Sequence, residues 1–576
     1  MDPEKTAPER ALPAEIEARL TQALLVVCAA AIAYLFLQIS MFRYGRDQGI
    51  YATVAESVLQ GGMPYRDVWD FKPPGIFAVY AFVRAVFGPA ESTIRLFEVL
   101  GLASVGVAFI IVSSRFFQDR RIGIVGAALA VLVHAELEFW HTAQPESFGG
   151  MLTAWAIVLA TFEPRSDDPR GRKKQLSAWA LAGACYGLAF LMKPPLGGGA
   201  IVSSAFVTLR IYQTSRASRH GETPGEPRAA RARGSHFEGR WIALAWPTLT
   251  MAAGSVVPIA AFVIWYAARG ALHDLYDAIF VFAPHYTRLS WEGANILRGI
   301  PGALYLAFEE WFVDLSGPTA AGVLAALILP PIAPREREGM KHLLAVIAVQ
   351  LVGVAWQGKF FPYHYGASLM IGSLVAGLGA YKVWRYVLAR GFPAVAAYVA
   401  VTAFIIQTRS ATRDTRTDFL DRCIARHQYL LGLSDVTREE LDAKLYSVAD
   451  VSYGANRRVA EFLRRELAPT DYAFIWGFEP IIYDMSERRP ASRYIYNVPQ
   501  RVAWAKEHTR LQLMADLDAR PPKAIVVEHR DVFPVVTGDA LDSADTLKRF
   551  PALAARINDN YALSTTIEDF DVYLLR

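Results

Sequence analysis

Long apolar runs alternate with short polar stretches as far as about Gln407, and there the pattern changes. A membrane-spanning helix needs about 20 mainly apolar residues. Windows of that kind begin near Thr21, Ile94, Arg121, Glu146, Leu176, Leu196, Trp241, Pro318, Lys341, Gly366 and Phe392, which predicts about eleven spans. Two further stretches, Pro73 to Gly88 and Ile296 to Leu315, are shorter or are broken by Glu309, Glu310 and Asp314, and read as interfacial. In the loop after the first span, Ile50, Val54 and Val58 share one helical stripe with Gly61 and Gly62 as a stop. That spacing predicts a helix lying along the membrane surface. Beyond Gln407, helical periodicity in "DFLDRCIARHQYLLGL" and "NRRVAEFLRREL" alternates with strand-like "YAFIW", "KAIVVE" and "DVYLLR". A small α/β domain is expected there, and the pattern leaves its sheet order open.

Composition agrees with a membrane protein: 53% of the 576 residues are hydrophobic, only 20% are charged, and the mean hydropathy is +0.22. The net charge of +4 is small, and its basic residues fall in clusters between apolar runs, so a nucleic-acid partner is not expected. Cys28, Cys185 and Cys423 are too few and too scattered for a disulfide framework or a thiolate metal site. The first apolar run lacks a small-residue cleavage site and reads as a retained span. Alternate connections carry Arg115, Arg120 and Arg121; Arg165, Arg170, Arg172, Lys173 and Lys174; Arg210 to Arg240; Arg335, Arg337 and Lys341; and Lys382, Arg385 and Arg390. Basic loops stay in the cytoplasm. The expected organisation is therefore a cytoplasmic tail (1–20), a membrane domain (21–407) and an extracytoplasmic α/β domain (408–576). The membrane domain includes a first external loop (42–93) and a cytoplasmic loop (210–240), and the Pro-, Gly- and Arg-rich 213–234 within it reads as disordered and in contact with anionic lipid.

This topology gathers polar residues from distant parts of the chain on the outer face: the loop "RYGRDQGIYATVAESVLQGGMPYRDVWDFKPPG", His141 and Glu146 in "HTAQPESF", Lys193 in "MKPPLGG", His285 in "FAPHYTRLSWEG", and Lys359 and His364 in "GKFFPYHYG". Each has a structural alternative. Asp47 would cap a helix start, and Glu56 would be solvated on its polar side. Pro73 and Pro74 would open a helix while Lys72 snorkels, and His285 and His364 would be hydrogen-bonded interface residues. The repeat of Lys-Pro-Pro at Lys193 favours a further role, because a lysine beside free helix N–H groups is a seat for phosphate. His141 and Glu146 lack the spacing of a zinc signature, and no metal is expected.

The loop, together with "AQPE", "LMKPPLG", "FFPYHYG" and the external "YAFIWGFEPIIYDMSERRPASRY", resembles the GT-C class of polyprenyl-phosphate-sugar glycosyltransferases. The similar branch includes protein O-mannosyltransferases, aminoarabinose transferases that modify lipid A, and rhizobial lipopolysaccharide-core transferases. Members carry Asp-Glu at the head of the loop; here Gln48 follows Asp47, and Phe71 precedes Lys72 where the aminoarabinose transferases have Glu. The resemblance implies an inverting transferase in the inner (plasma) membrane, acting on a polyprenyl-phosphate-linked sugar donor and a lipid, polysaccharide or protein acceptor. It implies Asp47 as general base and Lys72 on the donor phosphate, with Lys193, Lys359 and His364 as helpers. Arg46, Tyr51, Tyr65, Asp70, Glu146, His285 and Tyr365 are the candidate substrate contacts. No cofactor is required by this chemistry, which would tolerate a divalent cation. The alternatives from other classes are a lipid or sugar transporter or flippase, and an inactive relative that binds without transferring.

Overall fold

A computed structural model of the chain describes residues 12–165, 167–220, 235–291, 295–315, 317–408, 419–445 and 452–576. Its membrane part is a helical bundle: α1 (Ala14–Ser40), α2 (Arg46–Leu59), α3 (Gly75–Phe87), α4 (Glu91–Phe116), α5 (Arg120–Glu136), α6 (Pro145–Ala160) and α7 (Gly171–Met192). It continues through α8 (Gly199–His220), α9 (Ser235–Ala268), α10 (Ile296–Glu309), α11 (Gly317–Ile328), α12 (Glu336–Gln357), α13 (Gly366–Leu388) and α14 (Phe392–Thr408). Every one of the eleven predicted span starts falls at or just before the start of one of these helices, or within it. Among the described residues, six helices are long and apolar enough to cross a membrane, and seven if Ile296–Asp314 and Gly317–Ile328, bent by 100° against each other, form one broken span. α5, α6 and α14 have only 17, 16 and 17 residues.

The bundle closes around α13, whose membrane-length window is 89% buried. Small residues let neighbours approach it: a Cβ at Gly377 would overlap the backbone of Gly126 in α5, and one at Gly379 would overlap that of Gly322 in α11. Without a hydrophobic driving force between helices in lipid, such backbone contact supplies the packing energy.

Three expectations change. The first helix begins at Ala14 inside the predicted tail, whose residues 1–11 lie outside the described ones. The disorder expected for 213–234 lies outside the described residues only over 221–234, because α8 runs on to His220. The polar side of the loop helix α2 is covered by protein over most of its length. Arg46, Gln48, Ile50, Tyr51, Thr53 and Val54 are all buried, because the C-terminal domain covers the face that the stripe pattern left polar, and only the last turn, from Glu56 to Leu59, is more open.

That domain reaches the bundle through α15 (Phe419–Leu430), which lies against α1: Tyr34 Oη donates to the Cys423 carbonyl at 3.1 Å. Arg422 and Arg426 both pair with the buried Glu138, and their charges hold its carboxyl below the usual range despite burial. After α16 (Arg438–Leu445) and α17 (Tyr453–Glu466) comes a five-stranded sheet in the order β2-β1-β3-β5-β4, made of β1 (Tyr472–Trp476), β2 (Arg489–Pro490), β3 (Ala524–Glu528), β4 (Tyr561–Ile567) and β5 (Phe570–Leu575). β1 runs parallel to β2 and β3, and the β4-β5 hairpin adds antiparallel to β3. The three strand-like stretches of the sequence are β1, β3 and β5.

Candidate functional site

At the start of α2, Gly45 is the N-cap and Asp47 the second helical residue. The side chain next to Asp47 does the capping, since Gln48 Oε1 accepts from Gly45 N at 3.0 Å. Gln48 Nε2 donates to the carbonyls of Phe139 (3.1 Å), Trp140 (3.2 Å) and Thr142 (2.6 Å), so this amide is fully occupied in holding the 137–144 connection. Asp47 is thereby left free of the helix end. Its Oδ1 accepts from Lys72 Nζ at 2.9 Å and its Oδ2 from Gln144 Nε2 at 3.2 Å. Gln144 is oriented in turn by Tyr51, whose Oη donates to Gln144 Oε1 at 2.7 Å.

Lys72 comes from the segment between α2 and α3. Tyr65, at φ 72°, turns the chain there and donates its hydroxyl to the Lys72 carbonyl at 2.7 Å. The ammonium lies over the Tyr51 ring, 5.0 Å from its centroid, and is only 17% exposed. Burial opposes its charge, but Asp47, Asp70 and Glu146 outweigh burial and hold the Lys72 pKa above the usual lysine range. Asp70 is itself 1% exposed; Oδ1 accepts from Tyr496 Oη of the C-terminal domain at 2.6 Å, while Oδ2 has no hydrogen-bond partner among the described residues.

The second Lys-Pro-Pro sits beside the first. Lys193 ends α7, Pro194–Gly198 forms a 3-10 turn, and the ammonium pairs with Glu146 in the first turn of α6. Here burial prevails, aided by Lys72, and the Lys193 pKa falls below the usual range. Glu146 is 1% exposed, and its Oε2 has no hydrogen-bond partner among the described residues. Tyr363 lies between these groups, stacked on His141 with centroids 5.9 Å apart and beneath Lys193. Burial pushes the His141 pKa down to about 4, so its imidazole is neutral at physiological pH. His364 is buried in the same corner, within electrostatic reach of Lys72, Lys193 and Lys359, and its Nδ1 has no hydrogen-bond partner among the described residues. Lys359 lies over the Tyr286 ring at 4.2 Å and donates to the Val535 carbonyl; burial lowers its pKa to about 8.

A carboxylate held by two donors, with further lysines around it and two buried carboxylates that each keep one oxygen unpaired among the described residues, is equipped to take a proton from a hydroxyl group next to a bound anion. The same end of the bundle carries the sheet domain. The sequence of residues 71–217, from the residue before Lys72 past Lys193, matches the family described as dolichyl-phosphate-mannose-protein mannosyltransferase. The structure is similar to that of ArnT from Cupriavidus metallidurans bound to undecaprenyl phosphate, with a TM-score of 0.51 and 14% identity over 96% of this chain and 97% of that one. This chain has the GT-C fold. The apo form of the same ArnT aligns with a TM-score of 0.50 and 15% identity over 96% of this chain and 98% of that one. No curated protein matches the sequence.

Within this GT-C fold, Asp47, Lys72, Tyr51, Asp70, Glu146, Lys193, Lys359 and His364 gather at one corner. The remaining candidates do not all join them. Arg46 turns the other way, into an ion pair with Glu479. Tyr65 is buried behind Lys72, and its ring stacks on Tyr266. Tyr365 points into the bundle, where its hydroxyl donates to Glu310 Oε2 at 3.1 Å. His285 Nδ1 bonds the Val281 carbonyl at 2.8 Å and its ring stacks on Trp504. Gln144, Tyr286, Tyr363 and Tyr496 were not singled out from the sequence. Gln144 and Tyr363 stand inside the quoted "AQPE" and "FFPYHYG", which was the available signal. Nothing marked Tyr496, whose role depends on the docking of a separate domain. Among the described residues no three His, Cys, Asp or Glu side chains converge as a metal site.

Proposed function

We propose that the chain is an integral membrane glycosyltransferase that moves a sugar from a polyprenyl-phosphate donor to an acceptor hydroxyl, with inversion and with Asp47 as general base. The observation that carries this reading is the convergence of Asp47 on Lys72 at 2.9 Å, beside the Glu146–Lys193 pair. The donor class is supported by the family match over 71–217 and by the undecaprenyl phosphate bound to the structurally similar ArnT.

In the proposed step the acceptor oxygen attacks the anomeric carbon as the bond from that carbon to the phosphate oxygen breaks. The acceptor proton passes to Asp47, and the departing phosphate keeps the bonding electron pair. Lys72 has three N–H donors, so it can hold Asp47 Oδ1 and still offer a donor to the phosphate. Lys193, with Lys359 and His364 farther out, adds donors and positive charge where charge grows on the leaving group. Gln144 fixes Asp47 Oδ2 and leaves that oxygen a second lone pair for the acceptor hydroxyl. Asp70 and Glu146 each keep one buried oxygen without a hydrogen-bond partner among the described residues, and their negative charge helps keep Lys72 protonated. The two lysines supply the charge, so no cofactor is proposed. We place the site on the outer face of the inner membrane, with the N-terminus in the cytoplasm, on the strength of the basic connections. The acceptor class stays at lipid, polysaccharide or protein.

The test is sugar transfer from synthetic polyprenyl-phosphate sugars by purified wild type and Asp47→Asn. A general base contributes about 10²–10⁴-fold, so transfer is expected to fall by that factor in a variant that folds. Undiminished transfer by Asp47→Asn would move the base elsewhere. Absence of wild-type transfer across a broad donor and acceptor panel would favour a transporter or an inactive binding protein.

A further inference from the structure

The helix that carries Asp47 is seated from behind by the C-terminal domain. Consecutive helical residues are about 100° apart, and residues three or four apart share a face. Asp47 and Tyr51 form the front of α2, towards Lys72 and Gln144. Arg46, Gly49 and Thr53 form the back, and all three meet the domain. Arg46 Nε donates to Glu479 Oε1 at 2.8 Å, and Nη2 approaches the same oxygen at 2.7 Å. The guanidinium is 4% exposed and faces the rings of Trp140, Phe478 and Phe533 at 5.4, 4.8 and 4.3 Å. The other Glu479 oxygen accepts from Asn456 Nδ2 of α17 at 2.9 Å. At Gly49 the two backbones come so close that a Cβ would lie 2.6 Å from Ile481 Cβ. Thr53 Oγ1 completes the row, 3.2 Å from the Pro480 carbonyl.

The same domain also holds the segment that carries Lys72. Trp69 N donates to the Arg493 carbonyl at 2.7 Å, and Tyr496 Oη donates to Asp70 Oδ1 at 2.6 Å. Glu479 stands three residues past β1, and Glu528 ends the parallel β3. In open α/β sheets the carboxyl edge of parallel strands is where ligands bind. Here α2 lies against that edge.

We infer that Arg46 and Glu479 are a positioning pair, through which the C-terminal domain sets the distance between Asp47 and Lys72. This inference rests on the proposed transferase reading for its kinetic consequence, though not for its structural one. Buried charge pairs with fixed geometry hold a reactive group in register, and misplacement by about 1 Å can cost about 10²-fold in rate. Neither residue touches substrate in this scheme.

The experiment compares full-length wild type, Glu479→Gln and Arg46→Lys by two readings. Hydrogen exchange of the α2 amides is expected to speed up about tenfold or more in both variants, while exchange in α13 is unchanged. kcat for transfer is expected to fall about 10- to 100-fold, with the donor KM within about twofold of wild type. Unchanged α2 exchange, unchanged kcat or a loss confined to KM would overturn the inference. Should Glu479→Gln fail to fold, Arg46→Lys, which keeps a cation opposite Glu479 but loses the fork that fixes the geometry, decides alone by the same criteria. A wild type that transfers no sugar would sink the transferase reading, and α2 exchange alone would then decide the positioning pair.

Discussion

The two Lys-Pro-Pro corners have the same three residues and opposite electrostatics. Lys72 faces Asp47, Asp70 and Glu146 and its pKa is held above the usual range, whereas at Lys193 burial, aided by the neighbouring Lys72, outweighs Glu146 and Asp47 and lowers its pKa. The carboxylates differ as well: Asp47 is 18% exposed, and Glu146 is 1% exposed. An accessible acid next to a permanently charged lysine can exchange a proton with a substrate. A sealed acid next to a weakened lysine serves better as a supporting pair. In the proposed function the repeated motif therefore supplies two seats with different tasks, and the electrostatic difference comes from neighbours contributed by other segments.

That contrast can be broken most directly by removing each lysine in turn. Lys72→Met is expected to lower kcat by about 10²–10³-fold, the cost of losing one donor to developing negative charge, and Lys193→Met by only about tenfold. Equal losses in the two variants would erase the distinction. Steady-state transfer with each variant, checked for folding, reads both numbers.

The pH dependence sharpens it. A lysine whose pKa is lowered gives up its proton, and its hold on phosphate, at a lower pH than an ordinary lysine. Lys359, at about 8, loses its charge as pH rises, Lys193 is likewise lowered, and Lys72, held above the usual range, keeps its charge longer than either. The donor KM is therefore expected to climb as pH rises through about 8, while Lys359→Arg, which stays charged, moves that limb to higher pH. A limb unchanged in Lys359→Arg would assign it to Lys193.

Two smaller effects test what surrounds the Lys72 corner. Gln48→Glu creates the Asp-Glu pair that the resemblance leads one to expect, yet it sets a carboxylate against the carbonyls of Phe139, Trp140 and Thr142. Stability is expected to drop by about 1–3 kcal/mol, seen as a lower thermal midpoint, with no gain in transfer. Tyr496→Phe removes one hydrogen bond to Asp70, worth about 0.5–1.5 kcal/mol. Its kcat is expected to fall about 2- to 10-fold; an unaltered rate would separate Asp70 from the reaction.

Much of the architecture was legible because long apolar runs have few solutions in a membrane. All eleven predicted starts met helices, although the number of full spans depends on how the short and bent ones are counted. The strand β4, "YALSTTI", was not read, since its side chains are mostly exposed and lack a clean alternation. Asp47 illustrates the limit at the site. Its spacing fitted a helix cap as well as a base, and only the fold shows that the capping contact goes to the Gln48 amide instead.

By itself the sequence determined the helical bundle, the change to a separate α/β domain and the residue types available to the site, because hydrophobic periodicity is local. Only the tertiary structure decided which of those residues meet. Asp47, Gln144 and Lys193 are separated by long stretches of chain, and the residues of the C-terminal domain that back α2, Glu479 to Ile481, lie more than 400 residues farther on. Contacts over such distances depend on how whole elements dock, and no local spacing records that.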